Sequence, residues 1–248
     1  MLIRKLIAAF YIGFLILQTA AGGEVSADEP ARAPAPAIGD LIAQLDGDSF
    51  AGRRKAFLAL RAFGPLAIEP LREAAAKGDP EIITHAVELL EGWSLDADRR
   101  VFEPAATALR ELTNSQNGEL ARRSDLAHRR HRRHRRALAQ SLIQELGGTV
   151  NINPGGRNRE TVYVSLSQTW KGGEDLSSLL ELGPLQSLTL TSPIFTDTTL
   201  KQVGKFEDVQ SLTLHKGQFT KVGFSALGQL SSLQMISLGY LTETKHLG

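Results

Sequence analysis

Three histidines and six arginines, with no acid among them, fill the nine residues from His128 to Arg136 as a thrice-repeated His-Arg-Arg triplet. Residues of these types can do three kinds of chemistry. Imidazoles at helical spacing can hold a metal ion, guanidinium groups can grip carboxylate or phosphate, and a basic ridge can lie along an anionic polymer or lipid surface. His131 and His134 are i, i+3 neighbours, but no third ligand stands near them and the adjacent arginines repel a cation. Nucleic acid is disfavoured because no aromatic residue interleaves the run for stacking. The preferred reading is a solvated helix face with histidines packed at its edge, with an anionic surface next.

Helical projection divides the run. On a helix over residues 119–146, rotated about 100° per residue from a core-facing Leu138, one stripe collects Leu142, His134, His131, Ala127 and Leu120. Ser124 and Glu145 interrupt it, and Leu126 and Ile143 lie off it. Arg129, Arg132, Arg133 and Arg136 fall opposite and form the candidate anion-binding ridge, while Arg130 and Arg135 lie on the flanks, where their stems can cover apolar surface. Protonation of His131 and His134 below about pH 6 should then destabilise this helix by adding like charge.

Nothing else in the sequence assembles a reacting centre. A serine nucleophile on a sharp turn would carry G-x-S-x-G, and a zinc protease H-E-x-x-H; neither occurs. The glycine-rich "NPGGRNRE" matches neither a phosphate loop nor a dinucleotide fingerprint, and His85, His215 and His246 are scattered singly. Glu174-Asp175 reads as a surface or helix-start feature rather than a catalytic pair. No enzyme, cofactor or metal site is expected.

The chain of 248 residues is long enough for a real core, and its formal net charge of +1 makes the basic run a local asymmetry. The absence of cysteine excludes disulfides and thiolate zinc sites. Residues 1–27 combine Arg4 and Lys5, the apolar run Leu6–Leu17 and small residues up to Ala27, the three parts of a secretory leader. A Pro/Ala-rich linker follows over 28–37. An exported protein is expected, periplasmic or extracellular, and membrane-anchored if the leader is kept.

From Ile38 to residue 118 apolar residues recur at helical spacing. Ser49 and Asp79 are placed to cap helices, Pro80 opens one, and Gly64 ends another. Pro104 should delay the regular part of its helix to about Glu103. The "A-x-x-A-L-x-x-F-G" of Ala56–Gly64, the following proline and the "G-D-P-E" that opens the next helix resemble HEAT-like repeats of bacterial proteins. That resemblance implies stacked helical hairpins, joined by the basic helix over 119–147 to the second half.

The second half repeats. Leu182-x-x-Leu185-x-x-Leu188-x-Leu190 returns as Phe206, Val209, Leu212, Leu214 and again as Leu230, Leu233, Ile236, Leu238, each 24 residues on. Such a period marks a leucine-rich repeat, one strand and a returning segment per unit. The segments "IFTDTTLKQV" and "QFTKVGFSAL" resemble the "I-T-D-x-G-L-x-x-L" form of bacterial repeats, over 161–248. Pro193 and Gly217 stand where such repeats often hold Asn or Cys, so the turn-fixing ladder is missing. Residues 148–160, with Pro154-Gly155-Gly156 as the turn, should form a hairpin or extra strand over the first sheet edge.

The fold expected is thus α plus α/β solenoid: HEAT-like α-helical hairpins, then a short leucine-rich repeat solenoid with a parallel sheet. Strand alternation assigns its concave face to Tyr163, Ser187, Ser211 and Met235; to Ser165, Thr189, Thr213 and Ser237; and to Ser167, Thr191, His215 and Gly239. The first two rows, with Thr191 and His215, are the candidate protein-binding surface. The combination resembles exported bacterial repeat proteins that bind other proteins, which implies a non-catalytic scaffold with an unidentified protein partner. The alternative is a binder of anionic polymer, lipid headgroups or nucleic acid through 128–136. The uncovered last repeat is a possible self-association edge.

Overall fold

The computed structural model of the chain describes residues 37–154 and 160–240. The expected leader, the linker up to Pro36, the Gly155-Gly156 turn and His246 lie outside them. Among the described residues the fold is mixed α/β, with eight α-helices and one five-stranded sheet.

Five helices come first: α1 (Ile38–Ala43), α2 (Phe50–Phe63), α3 (Ile68–Ala76), α4 (Pro80–Ser94) and α5 (Arg99–Leu112). Local chemistry explains their starts. Ser49 accepts from the Gly52 N–H, Asp79 from those of Glu81 and Ile82, and Asp98 from that of Arg100, each satisfying donors the helix cannot. Gly64 ends α2 at φ +58° and opens the 3-10 turn Gly64–Ala67, which delays α3 to Ile68. Pro104 does not delay α5. The helix runs through it from Arg99, because a proline this near the N-terminus costs only one internal hydrogen bond. Leu45, Leu60, Leu71, Ile83, Leu90 and Leu109 are the fully buried centre of this core.

The long α6 (Gly118–Glu145) begins on Asn117, whose side chain accepts from the Glu119 and Leu120 N–H groups. It serves two cores. Leu120 and Ala127 belong to the helical one, and Ala139 and Ile143 to the one beneath the sheet. The inward face follows the projected stripe as far as His131 and departs from it beyond. Leu120, Ser124, Ala127, His131, Ala139 and Ile143 are buried, whereas His134, Leu138 and Leu142 are exposed. The inward residues mostly step by four along the helix, which rotates the contact line by tens of degrees over its length. No single wheel anchored on Leu138 can follow that drift.

The sheet runs in chain order: β1 (Thr149–Pro154), β2 (Glu160–Leu166), β3 (Ser187–Thr191), β4 (Ser211–His215) and β5 (Met235–Gly239). β1 pairs antiparallel with β2; the rest are parallel, with Leu188 beside Leu212 and Ile236. Between strands the chain returns through a 3-10 segment (Ser177–Leu182), α7 (Asp197–Val203) and α8 (Lys221–Ala226). Leu166, Leu188, Leu190, Leu212 and Leu214 pack inward with Leu179, Phe195, Leu200 and Val203. At the β5 edge the same inward row stands in solvent, with Ile236 43% and Leu238 51% exposed.

Glutamines tie successive strands together. The Gln186 carbonyl accepts from the N–H groups of Gln210 and Ser211, and the Gln210 carbonyl from those of Gln234 and Met235. The Gln186 side chain also accepts from the Val162 N–H at 2.6 Å. The returning segments are linked as well. Asp197 accepts from the Thr220 N–H at 2.8 Å and its hydroxyl at 2.5 Å. Glu174 accepts from the hydroxyls of Thr196 and Thr199. Burial raises the Asp197 carboxyl, but the Thr220 hydrogen bonds and nearby Lys201 outweigh it and hold the pKa below the usual aspartate value.

Candidate functional site

The solvent face of the sheet carries the sequence-assigned residues in straight rows. Ser165 lies beside Thr189, Thr189 beside Thr213, and Thr213 beside Ser237. Tyr163, Ser187, Ser211 and Met235 form the next row. Thr191 pairs with His215 and His215 with Gly239. The His215 ring lies over Gly239, where a Cβ would come within 2.7 Å of its Cε1, so only glycine leaves the ring that position.

The rows extend one strand further than the sequence indicated. Antiparallel pairing sets Thr149 beside Ser165 and Asn151 beside Tyr163, with Val150 buried on the opposite face. The outer row thus reads Thr149, Ser165, Thr189, Thr213, Ser237: five hydroxyls across five strands, about 4.8 Å apart. A signal for this was present, since Thr149 and Asn151 alternate with Val150 and Ile152. The register of this pairing was what the sequence alone did not specify.

These hydroxyls are uncommitted. The side-chain hydrogen bonds of this half fall at Gln186, at Ser167 with Thr169, and on the returning segments. Among the described residues none reaches the hydroxyls of Ser165, Ser187, Thr189, Thr191, Ser211 or Thr213. Among the described residues in the rows of this face none carries a carboxylate or ammonium group. Tyr163 and Met235, 40% and 63% exposed, supply its larger side chains. It can offer hydrogen bonds of both senses on a flat, β-branched surface, but it holds no acid–base pair.

The His-Arg-Arg run is dispersed by α6. His131 is buried, its Nδ1 2.6 Å from the Ser94 carbonyl at the end of α4, and its ring lies 6.0 Å from Phe102. His128 stacks on it at 6.1 Å, with an Nδ1 that is buried and without a partner. Burial pushes both imidazoles below the usual histidine value. Arg132 and Arg110 reinforce this at His128, and Arg135 at His131, where the Ser94 carbonyl and Glu181 oppose it.

The arginines mostly face acids. Arg129 pairs with Asp125 at 2.8 Å, Arg130 with Glu91 at 3.0 Å and Arg135 with Glu181 at 3.3 Å. Arg136 pairs with Glu160 on β2. The Arg135 guanidinium also lies 3.9 Å from the Phe102 ring centre. Of the four arginines assigned to an anion-binding ridge, Arg129 and Arg136 therefore spend their charge inside the protein. Arg132 and Arg133 remain exposed without an ion pair among the described residues. No group of three or more histidines and acids stands close enough to hold a metal ion among the described residues.

The chain matches no protein-family model, no curated protein and no solved structure.

Proposed function

We propose that the chain is a non-catalytic binding module of the cell envelope, built of HEAT-like helical hairpins continued by a short leucine-rich repeat solenoid, and that it docks a protein partner on the solvent face of its sheet. The five-strand hydroxyl row carries this reading. Uncommitted donors and acceptors at strand spacing suit an extended peptide or loop, and repeat proteins use such faces for binding. The apolar N-terminal run supports export, and no described helix is long and apolar enough to cross a membrane.

Pull-down from envelope extract tests this reading, with Thr189→Arg/Thr213→Arg set against Arg132→Gln/Arg133→Gln. We expect the threonine pair to abolish capture of the partner, the arginine pair to preserve it, and capture to survive several-fold higher salt. The reading is wrong if the threonine pair binds normally. Loss of capture through the arginine pair, with a steep salt dependence, would instead support the anionic-polymer alternative.

A further inference from the structure

The arginines of the most conspicuous basic segment, α6, mostly pair with acids of that helix and of neighbouring segments. The opposite holds for α2. This helix contains Arg53, Arg54, Lys55 and Arg61 and no acid. Arg53 folds back to donate to the Gly47 carbonyl at 2.7 Å. Arg54, Lys55 and Arg61 are exposed and have no ion pair among the described residues. The nearest acids in sequence, Asp46 and Asp48, precede the helix on the side to which Arg53 turns.

Large apolar side chains share this face. Phe50 is 75% exposed and Leu58 is 47% exposed. Counted from Phe50 at about 100° per residue, Arg61, Arg54, Leu58 and Lys55 fall within an arc of roughly 140°. The buried Ala56, Leu60 and Phe57 occupy the adjoining arc, with Phe57 at its border beside Phe50. Leu66, in the 3-10 turn after α2, is 73% exposed as well.

We propose that this face of α2 docks on an anionic lipid surface, with Arg54, Lys55 and Arg61 at the headgroup phosphates and Phe50 and Leu58 dipping below them. Cations interleaved with an aromatic and an aliphatic side chain are what an interfacial helix needs, because the long basic stems can reach up while the apolar groups reach down. A nucleic acid would be served by the cations but not by Leu58. The helix lies in the membrane plane, since 14 residues give only about 21 Å of length. This surface is separate from the hydroxyl rows, so the two proposals stand or fall independently.

The chain has no cysteine, so one introduced residue can be labelled uniquely. Full-length protein carrying Leu58→Cys with an environment-sensitive dye is mixed with phosphatidylcholine vesicles, with and without phosphatidylglycerol. A second protein carries the dye at Gln229→Cys. The dye at 58 should shift to the blue with phosphatidylglycerol vesicles only, and the dye at 229 should not respond. Arg54→Gln/Lys55→Gln/Arg61→Gln should lower partitioning by about fivefold per cation, on the order of a hundredfold together. The proposal fails if vesicles bind while position 58 stays silent, which would point to the apolar N-terminal run instead. It fails equally if both dyes respond alike, if the triple variant binds unchanged, or if no vesicles bind.

Discussion

Two adjacent imidazoles couple the fold to pH just below neutrality. His131 donates from Nδ1 to the Ser94 carbonyl and His128 covers it, both held below the usual histidine pKa of about 6.5. The folded state therefore takes up protons less readily than the unfolded chain. Stability is complete above about pH 6.5 and falls as acid carries the pH down through the lowered folded values. The surrounding charges are mixed, with Arg110, Arg132, Arg135 and His134 opposing protonation and Asp125 and Glu181 favouring it. The melting temperature of the wild type should drop by several degrees between about pH 7.5 and 5. A His128→Gln/His131→Asn variant should start lower and show a shallower slope. Equal slopes in the two proteins would remove these residues from the explanation. His131 was legible as a seam residue in the sequence; His134 was placed beside it and stands in solvent. Nor were the partners of the arginines legible. Glu91, Glu181 and Glu160 lie 39, 46 and 24 residues away in the chain, beyond the reach of any local pattern.

Helix starts were legible because capping is local. A side chain two or three residues from a free N–H satisfies it wherever the helix later packs. The face of α6 was not, because it is set by neighbours. Its first half follows the projected stripe through Leu120, Ser124, Ala127 and His131, but beyond His131 the inner residues are Ala139 and Ile143 instead of His134, Leu138 and Leu142. The correction can be measured. Ile143→Ala removes a fully buried side chain and should cost about 2–5 kcal/mol in urea unfolding. Leu142→Ala, at a position 44% exposed, should cost under about 1 kcal/mol. The reverse order would restore the projected stripe.

The described residues form one compact unit, and α6 contributes to both of its cores. It is a wall of both cores, and its Arg135 joins Phe102 of α5 to Glu181 before β3. The protein supplies its own reporters, because Trp93 is buried in the helical core and Trp170 in the other. Trp93→Phe and Trp170→Phe variants should each give a fluorescence transition that coincides with circular dichroism at one denaturant midpoint. Two separated midpoints would mean that the halves unfold independently. The 24-residue period was the most legible feature at this scale, since every repeat presents the same positions to its neighbours. What it left open was the strand outside the period, β1, which broadens the hydroxyl face.

The glutamine relay works like a reading frame. Each carbonyl of Gln186 and Gln210 serves the same two donors one repeat later, so a strand is placed by counting from the strand before it. Insertion of a single residue between Gln186 and Gln210 would leave α7 or β4 out of phase, and everything after it would inherit the slip. Insertion of a whole repeat would leave the phase intact and lengthen the rows by one hydroxyl each. Changes of length in this half should therefore be tolerated in steps of one repeat and refused in between, and the width of the hydroxyl face is the quantity those steps would change.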